Sequence, residues 1–149
     1  MQASQPGQPI GDEGTTSRWE TLALLCLRVL VGSFLVWGVT DNIIFPAKMD
    51  IFEAFLETHG FPWPGLSARV SVWAQFLCGL SFLSGVGFRL AGAVCALNFT
   101  VAVVMVDYKF GIRGAFPAAL LAVTGLYFSA RGPGRAALRL RRVWAGSRK

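Results

Sequence analysis

Four long apolar stretches, cut by short polar breaks, dictate what this chain can fold into. They cover Thr21–Thr40, Val70–Phe88, Leu90–Val106 and Ala115–Ala130. A helix needs about 20 residues to cross the ~30 Å hydrocarbon layer of a bilayer. The first three stretches reach or approach that length. The fourth is shorter and spans only if its ends snorkel or the bilayer thins. Nearly all of a 149-residue chain is then spent in crossing a membrane. Any chemistry must lie between the helices or in the two outer loops.

Composition points the same way. Hydrophobic residues make up 54% of the sequence and charged residues 15%, against about 25% charged in a soluble domain. Lipid tolerates no unpaired backbone groups, so spanning segments are helices or a closed barrel. The stretches lack the apolar/polar alternation of barrel strands. The sequence therefore predicts an all-α, integral membrane four-helix bundle.

Residues 1–18, rich in Gln, Pro, Gly and Ser, read as a flexible tail. They do not read as a secretory signal. The leading region is uncharged and then acidic, Arg28 interrupts the apolar run, and no small-residue cleavage site follows. Residues 19–130 form the membrane domain, and 131–149 a basic tail.

The basic residues set the expected orientation. With the N-terminus inside, four crossings return the C-terminus inside. That side then holds Arg18, Arg89, Arg131, Arg135, Arg139, Arg141, Arg142, Arg148 and Lys149. The outer side holds Lys48, Arg69, Lys109 and Arg113, with Asp41, Asp50, Glu53, Glu57 and Asp107. This is the positive-inside pattern. The net charge of +6 is thus a topology signal and not a nucleic-acid footprint.

The first outer loop carries its own pattern. Met49, Phe52, Phe55 and Leu56 repeat at helical spacing, with Asp50, Glu53 and Glu57 opposite. That pattern predicts a short interfacial helix over Met49–His59, ended by Gly60 and an aromatic Pro-rich turn. It serves as a lid over the helix ends or as a substrate gate. In the C-terminal tail Arg135, Arg139 and Arg142 share one helical face, with Ala136, Leu140, Val143 and Trp144 on the other. Arg135, Arg139, Arg141 and Arg142 are the candidate contacts to anionic lipid, each worth about 1 kcal/mol near the surface. A soluble partner would use the same features.

Within the spans, three polar residues stand out. Arg28 lies about seven residues into the first stretch, roughly 10 Å deep. Asn98 lies at similar depth on the third, within expected reach of Arg28. Gln75 lies nearer the outer half, reached only through tilt or water. They either hydrogen-bond between helices to fix packing, or line a small polar pocket for a quinone headgroup or similar ligand. Arg28 alone has the further option of snorkelling. Small residues four apart (Ser81 and Gly85, Gly92 and Ala96, Ala115 and Ala119) let backbones approach closely.

Reactive groups are sparse. Cys26, Cys78 and Cys95 sit in separate apolar stretches with no C-x-x-C pair, so no dithiol or metal site is indicated. His59 is the single histidine, too few for bis-histidine haem ligation. No glycine-rich phosphate loop or nucleophile elbow is present.

Three segments together resemble the DoxX family of membrane proteins. LRVLVGSFLVWG at 27–38 looks like the family's opening helix. AQFLCGLSFLSGVGFRLAG at 74–92 is similar to its second helix, inner turn and entry to the third. GPGR at 132–135 resembles its C-terminal signature. The family typically has an acidic residue where Gln75 stands, and basic or histidine residues around the end of the first helix, where this chain has Trp37, Gly38 and Asp41. The resemblance implies a four-helix inner-membrane protein. Some relatives are described as the small subunit of a thiosulfate:quinone oxidoreductase, others as anchors for redox-defence proteins. The expected role is therefore an accessory or anchoring subunit of a quinone-linked redox assembly, with lipid and other membrane subunits as partners. An autonomous quinone-linked oxidoreductase and a small-solute carrier are the alternatives.

Overall fold

The computed structural model describes residues 13–133, and these are helical with no strands. Five α-helices follow in order: α1 Glu13–Ile44, α2 Pro46–Thr58, α3 Pro64–Ser84, α4 Phe88–Met105 and α5 Gly111–Arg131. A short 3-10 helix, Asp107–Phe110, joins α4 to α5. Helices α1, α3, α4 and α5 are long and apolar enough to cross a membrane. The all-α, four-span architecture is the one that the apolar stretches predicted, and α2 is the short helix expected in the first loop.

Several boundaries differ. Helix α1 begins at Glu13, inside the segment read as a tail, because a helix nucleated by the apolar run extends at little cost per residue. Helix α3 occupies Pro64–Ser84 and not Val70–Phe88. Pro64 sits at its first turn, where its missing N–H costs nothing. Gly85 and Gly87, at φ 79° and 63°, turn the chain so that Phe88 opens α4. Helix α5 starts at Gly111 despite Pro117. Its 21 residues span about 32 Å at 1.5 Å each, so the fourth crossing needs no thinning of the bilayer.

The spans associate as two tight pairs, α1 with α3 and α4 with α5. Glycine sets both approaches. A Cβ on Gly92 of α4 would lie 2.6 Å from the Ser129 nitrogen and 2.7 Å from the Gly125 oxygen of α5. A Cβ on Gly79 of α3 would lie 2.8 Å from the Gly32 oxygen of α1. The Gly92–Ala96 pair expected at a close contact is at one, since a Cβ on Gly125 would lie 2.7 Å from the Ala96 nitrogen. Gly85 is instead a helix cap, and Gly32, Gly79 and Gly125 take the other close positions.

The two pairs meet at the end carrying the α3–α4 turn. There Phe82, Phe88 and Phe128 interlock with ring centroids 4.8–5.4 Å apart, all at 2% exposure or less. Edge-to-face rings at such distances add to the burial of their apolar area. Around them lie Leu24, Val31, Leu35, Cys78, Ala91 and Cys95. At the opposite end α3 and α4 diverge, and α2 covers the gap.

Candidate functional site

That gap is a cavity of about 680 Å³. Helix α2 contributes Phe52, Phe55 and Leu56, and the aromatic turn gives Phe61 and Pro62. Helices α3 and α4 form the two long walls, and Asp107 stands at the mouth. The volume lies in the range of small-molecule pockets, which are apolar with a few placed polar groups. The apolar face of α2 thus looks onto the cavity, which explains why Leu56 is buried while Ile51 is 64% exposed. Glu53 ties α2 to Arg69 of α3 at 3.4 Å, an exposed pair of small energetic weight.

The polar groups of the wall form one chain. Ser71 Oγ donates to Asn98 Oδ1 at 3.0 Å, bridging α3 to α4. Gln75 Nε2 donates to Ser71 Oγ at 3.2 Å. Ser71 lies seven residues beyond Pro64, so the trio sits roughly 10–16 Å below the mouth. All three residues line the cavity. The Gln75 carbonyl and the Asn98 amide keep hydrogen-bonding capacity beyond these two bonds. A ligand carrying a carbonyl or hydroxyl on an apolar ring would find both kinds of group there.

Arg28 is not part of this site. The structure separates it from Gln75 and Asn98, correcting the expectation that Arg28 reaches Asn98. Arg28 is 4% exposed as a whole residue, and its guanidinium sits at the end with the α3–α4 turn. Nε and Nη2 both donate to the Phe82 carbonyl, at 3.1 and 3.0 Å, and Nη1 donates to the Pro133 carbonyl at 2.9 Å. Its plane lies 4.8 Å from the centroid of the Phe88 ring. Phe82 belongs to the last turn of α3, where carbonyls lack partners and the helix dipole favours a cation. Arg89 does the same for α5, donating from Nη2 to Ala130 at 2.8 Å. Helix ends, rather than a carboxylate, compensate the buried charge. The depth inferred from Thr21 was misleading because α1 extends well past the ends of its neighbours.

Sequence reasoning found Gln75 and Asn98 but missed Ser71, which joins them. Its signal was available: Ser71 lies four residues before Gln75, on the same face of α3. Asp107 was placed among the outer charges, whereas the structure turns it into the cavity mouth. His59 is held by its own helix, with Nδ1 donating to the Phe55 carbonyl at 2.8 Å and the ring 4.3 Å from that of Phe55. Cys78 and Cys95 are buried, with Cys78 Sγ 3.2 Å from the Ala91 carbonyl. They fill space as small apolar side chains do. Arg135, Arg139, Arg141 and Arg142 lie outside the described residues.

The DoxX family model matches residues 23–107 of the chain. No curated protein and no solved structure matches it. The matched segment covers more than half of the sequence and contains Arg28 together with every residue that lines the cavity. This chain belongs to the DoxX family.

Proposed function

We propose that the chain is an accessory subunit of a quinone-linked redox assembly, holding a quinone-class ligand in the cavity between α3 and α4. The observation that carries this reading is the Ser71–Gln75–Asn98 chain on the wall of a 680 Å³ apolar cavity. A quinone is an apolar ring with two carbonyl acceptors and usually a lipophilic tail. Amide donors serve the carbonyls, and the Phe and Val walls serve the ring. The trio lies within the helical span, at a depth where a ligand dissolved in the bilayer resides. Amides, a hydroxyl and hydrocarbon bind and orient rather than exchange electrons, which favours a presenting role beside a redox-active partner.

In this reading the chain resides in a bacterial inner membrane with both termini in the cytoplasm. The fold places Arg18, Arg89 and Arg131 at one end of the bundle, and the basic side is the cytoplasmic one. Arg135, Arg139, Arg141 and Arg142 would then add contacts to anionic lipid. A 131–149 peptide that binds neutral and anionic vesicles equally would contradict that part.

The test uses the full chain in phosphatidylcholine nanodiscs and decylubiquinone as the probe. Wild type should bind it above the partition into empty discs. Asn98→Leu removes the amide and the acceptor of the Ser71 hydroxyl proton, so affinity should fall about tenfold, the scale of one hydrogen bond in an apolar site. Binding unchanged in Asn98→Leu, at wild-type unfolding temperature, would reject the reading.

A further inference from the structure

The cavity mouth carries a feature that a neutral ligand does not use. Among the described residues, Asp107 is the only carboxylate in the cavity wall. It is half-buried, and the two ion pairs among the described residues, Arg69–Glu53 and Arg131–Glu20, leave it out. A carboxylate against an apolar space loses hydration, and no hydrogen-bonded ion pair among the described residues offsets that loss.

The neighbouring cations are turned to other partners. Arg69 binds Glu53 and the Gly65 carbonyl. Lys109, on the same 3-10 helix, lies over the Tyr108 ring at 5.9 Å. Arg113 is exposed at the start of α5. Helix α4 brings no titratable group to this end. His59, at the end of α2, acts on Asp107 electrostatically, but its Nδ1 is engaged by the Phe55 carbonyl. Phe52, Phe55 and Phe61 add aromatic rings to the roof, and Phe99 adds one deeper on α4. The faces of such rings attract cations, more strongly where water is excluded.

We propose that this cavity is also a binding site for amphiphilic organic cations, with Asp107 as the counter-charge and the four phenylalanine rings as the contact surface. The cation supplies what the carboxylate lacks, and its apolar groups fill the volume that α3 and α4 leave open. Protons compete with it. Acidification neutralises Asp107 and so weakens cation binding.

Equilibrium dialysis of tetraphenylphosphonium against the full chain in phosphatidylcholine nanodiscs tests this, with empty discs subtracted. Wild type should bind at pH 8, and affinity should fall, reversibly, on acidification to pH 4. Asp107→Asn should bind at least tenfold more weakly at pH 8, while Asp107→Glu stays within about threefold of wild type. Tetraphenylborate has the same shape and the opposite charge, and wild type should discriminate against it at least tenfold whether or not the variants fold. Equal binding of the two ions, or unchanged tetraphenylphosphonium binding in a folded Asp107→Asn, would overturn the proposal. The proposal shares the cavity with the quinone reading without depending on it. Decylubiquinone binding without tetraphenylphosphonium binding removes this inference alone.

Discussion

Gly125→Val should be the most damaging single substitution in the membrane domain. Even a Cβ at Gly125 would lie 2.7 Å from the Ala96 nitrogen and 2.7 Å from the Gly92 oxygen. Both obstacles are backbone, so no rotamer change relieves them. The helices must separate, and the contacts of the tightest pair in the fold are lost with them. Overpacking a core costs about 1–3 kcal/mol where side chains yield. Here the cost should exceed about 3 kcal/mol, because backbone cannot yield as side chains do. Gly38→Val is the matched control, since nothing lies within 4 Å of a Cβ there. It should change stability by less than about 0.5 kcal/mol, as surface substitutions do. Thermal unfolding in mild detergent, read by tryptophan fluorescence, compares the two. Equal stability of the two variants would refute the backbone contact between α4 and α5.

Arg28→Leu should follow. It removes three hydrogen bonds from a charged donor, two to Phe82 and one to Pro133. The carbonyls left behind sit at helix ends, with partial access to other donors. A loss of about 3 kcal/mol is therefore expected, above that of a single neutral bond and below the sum of three charged ones. Arg28→Lys should recover less than half, because an ammonium lacks the planar fork that reaches both carbonyls. Decylubiquinone affinity per folded molecule should stay within about twofold of wild type, since Arg28 lies outside the cavity wall. A large loss of ligand with little loss of stability would return Arg28 to the binding site.

These two residues also show what the sequence could and could not reveal. The four spans and the amphipathic α2 were legible because lipid and interface impose lengths and periods on side chains. Helix starts were less legible. Gly65, Ser67 and Arg69 hid the first turn of α3 from a hydropathy reading, although Pro64 marked it. Gly111, Gly114 and Pro117 likewise hid the start of α5, because a spanning helix tolerates residues that break soluble ones. The partners of Arg28 were beyond reach, since they are main-chain carbonyls and belong to no residue type. The cavity was hidden for a related reason. It depends on how α2, α3 and α4 pack together, which no single segment of sequence states. Gln75 and Asn98 were visible as polar exceptions in apolar runs. Ser71 was overlooked because a serine in a membrane helix bonds its own backbone as readily as a neighbour.

The location of a quinone on the chain tests the central claim most directly. An azido-benzoquinone with a decyl tail, photolysed on the full chain in nanodiscs, should label residues on α2, α3 and α4 that line the cavity. Excess decylubiquinone should suppress that labelling, and Asn98→Leu should reduce it. Suppressible labelling around Arg28 and Phe82, or labelling that excess decylubiquinone leaves unchanged, would contradict the account.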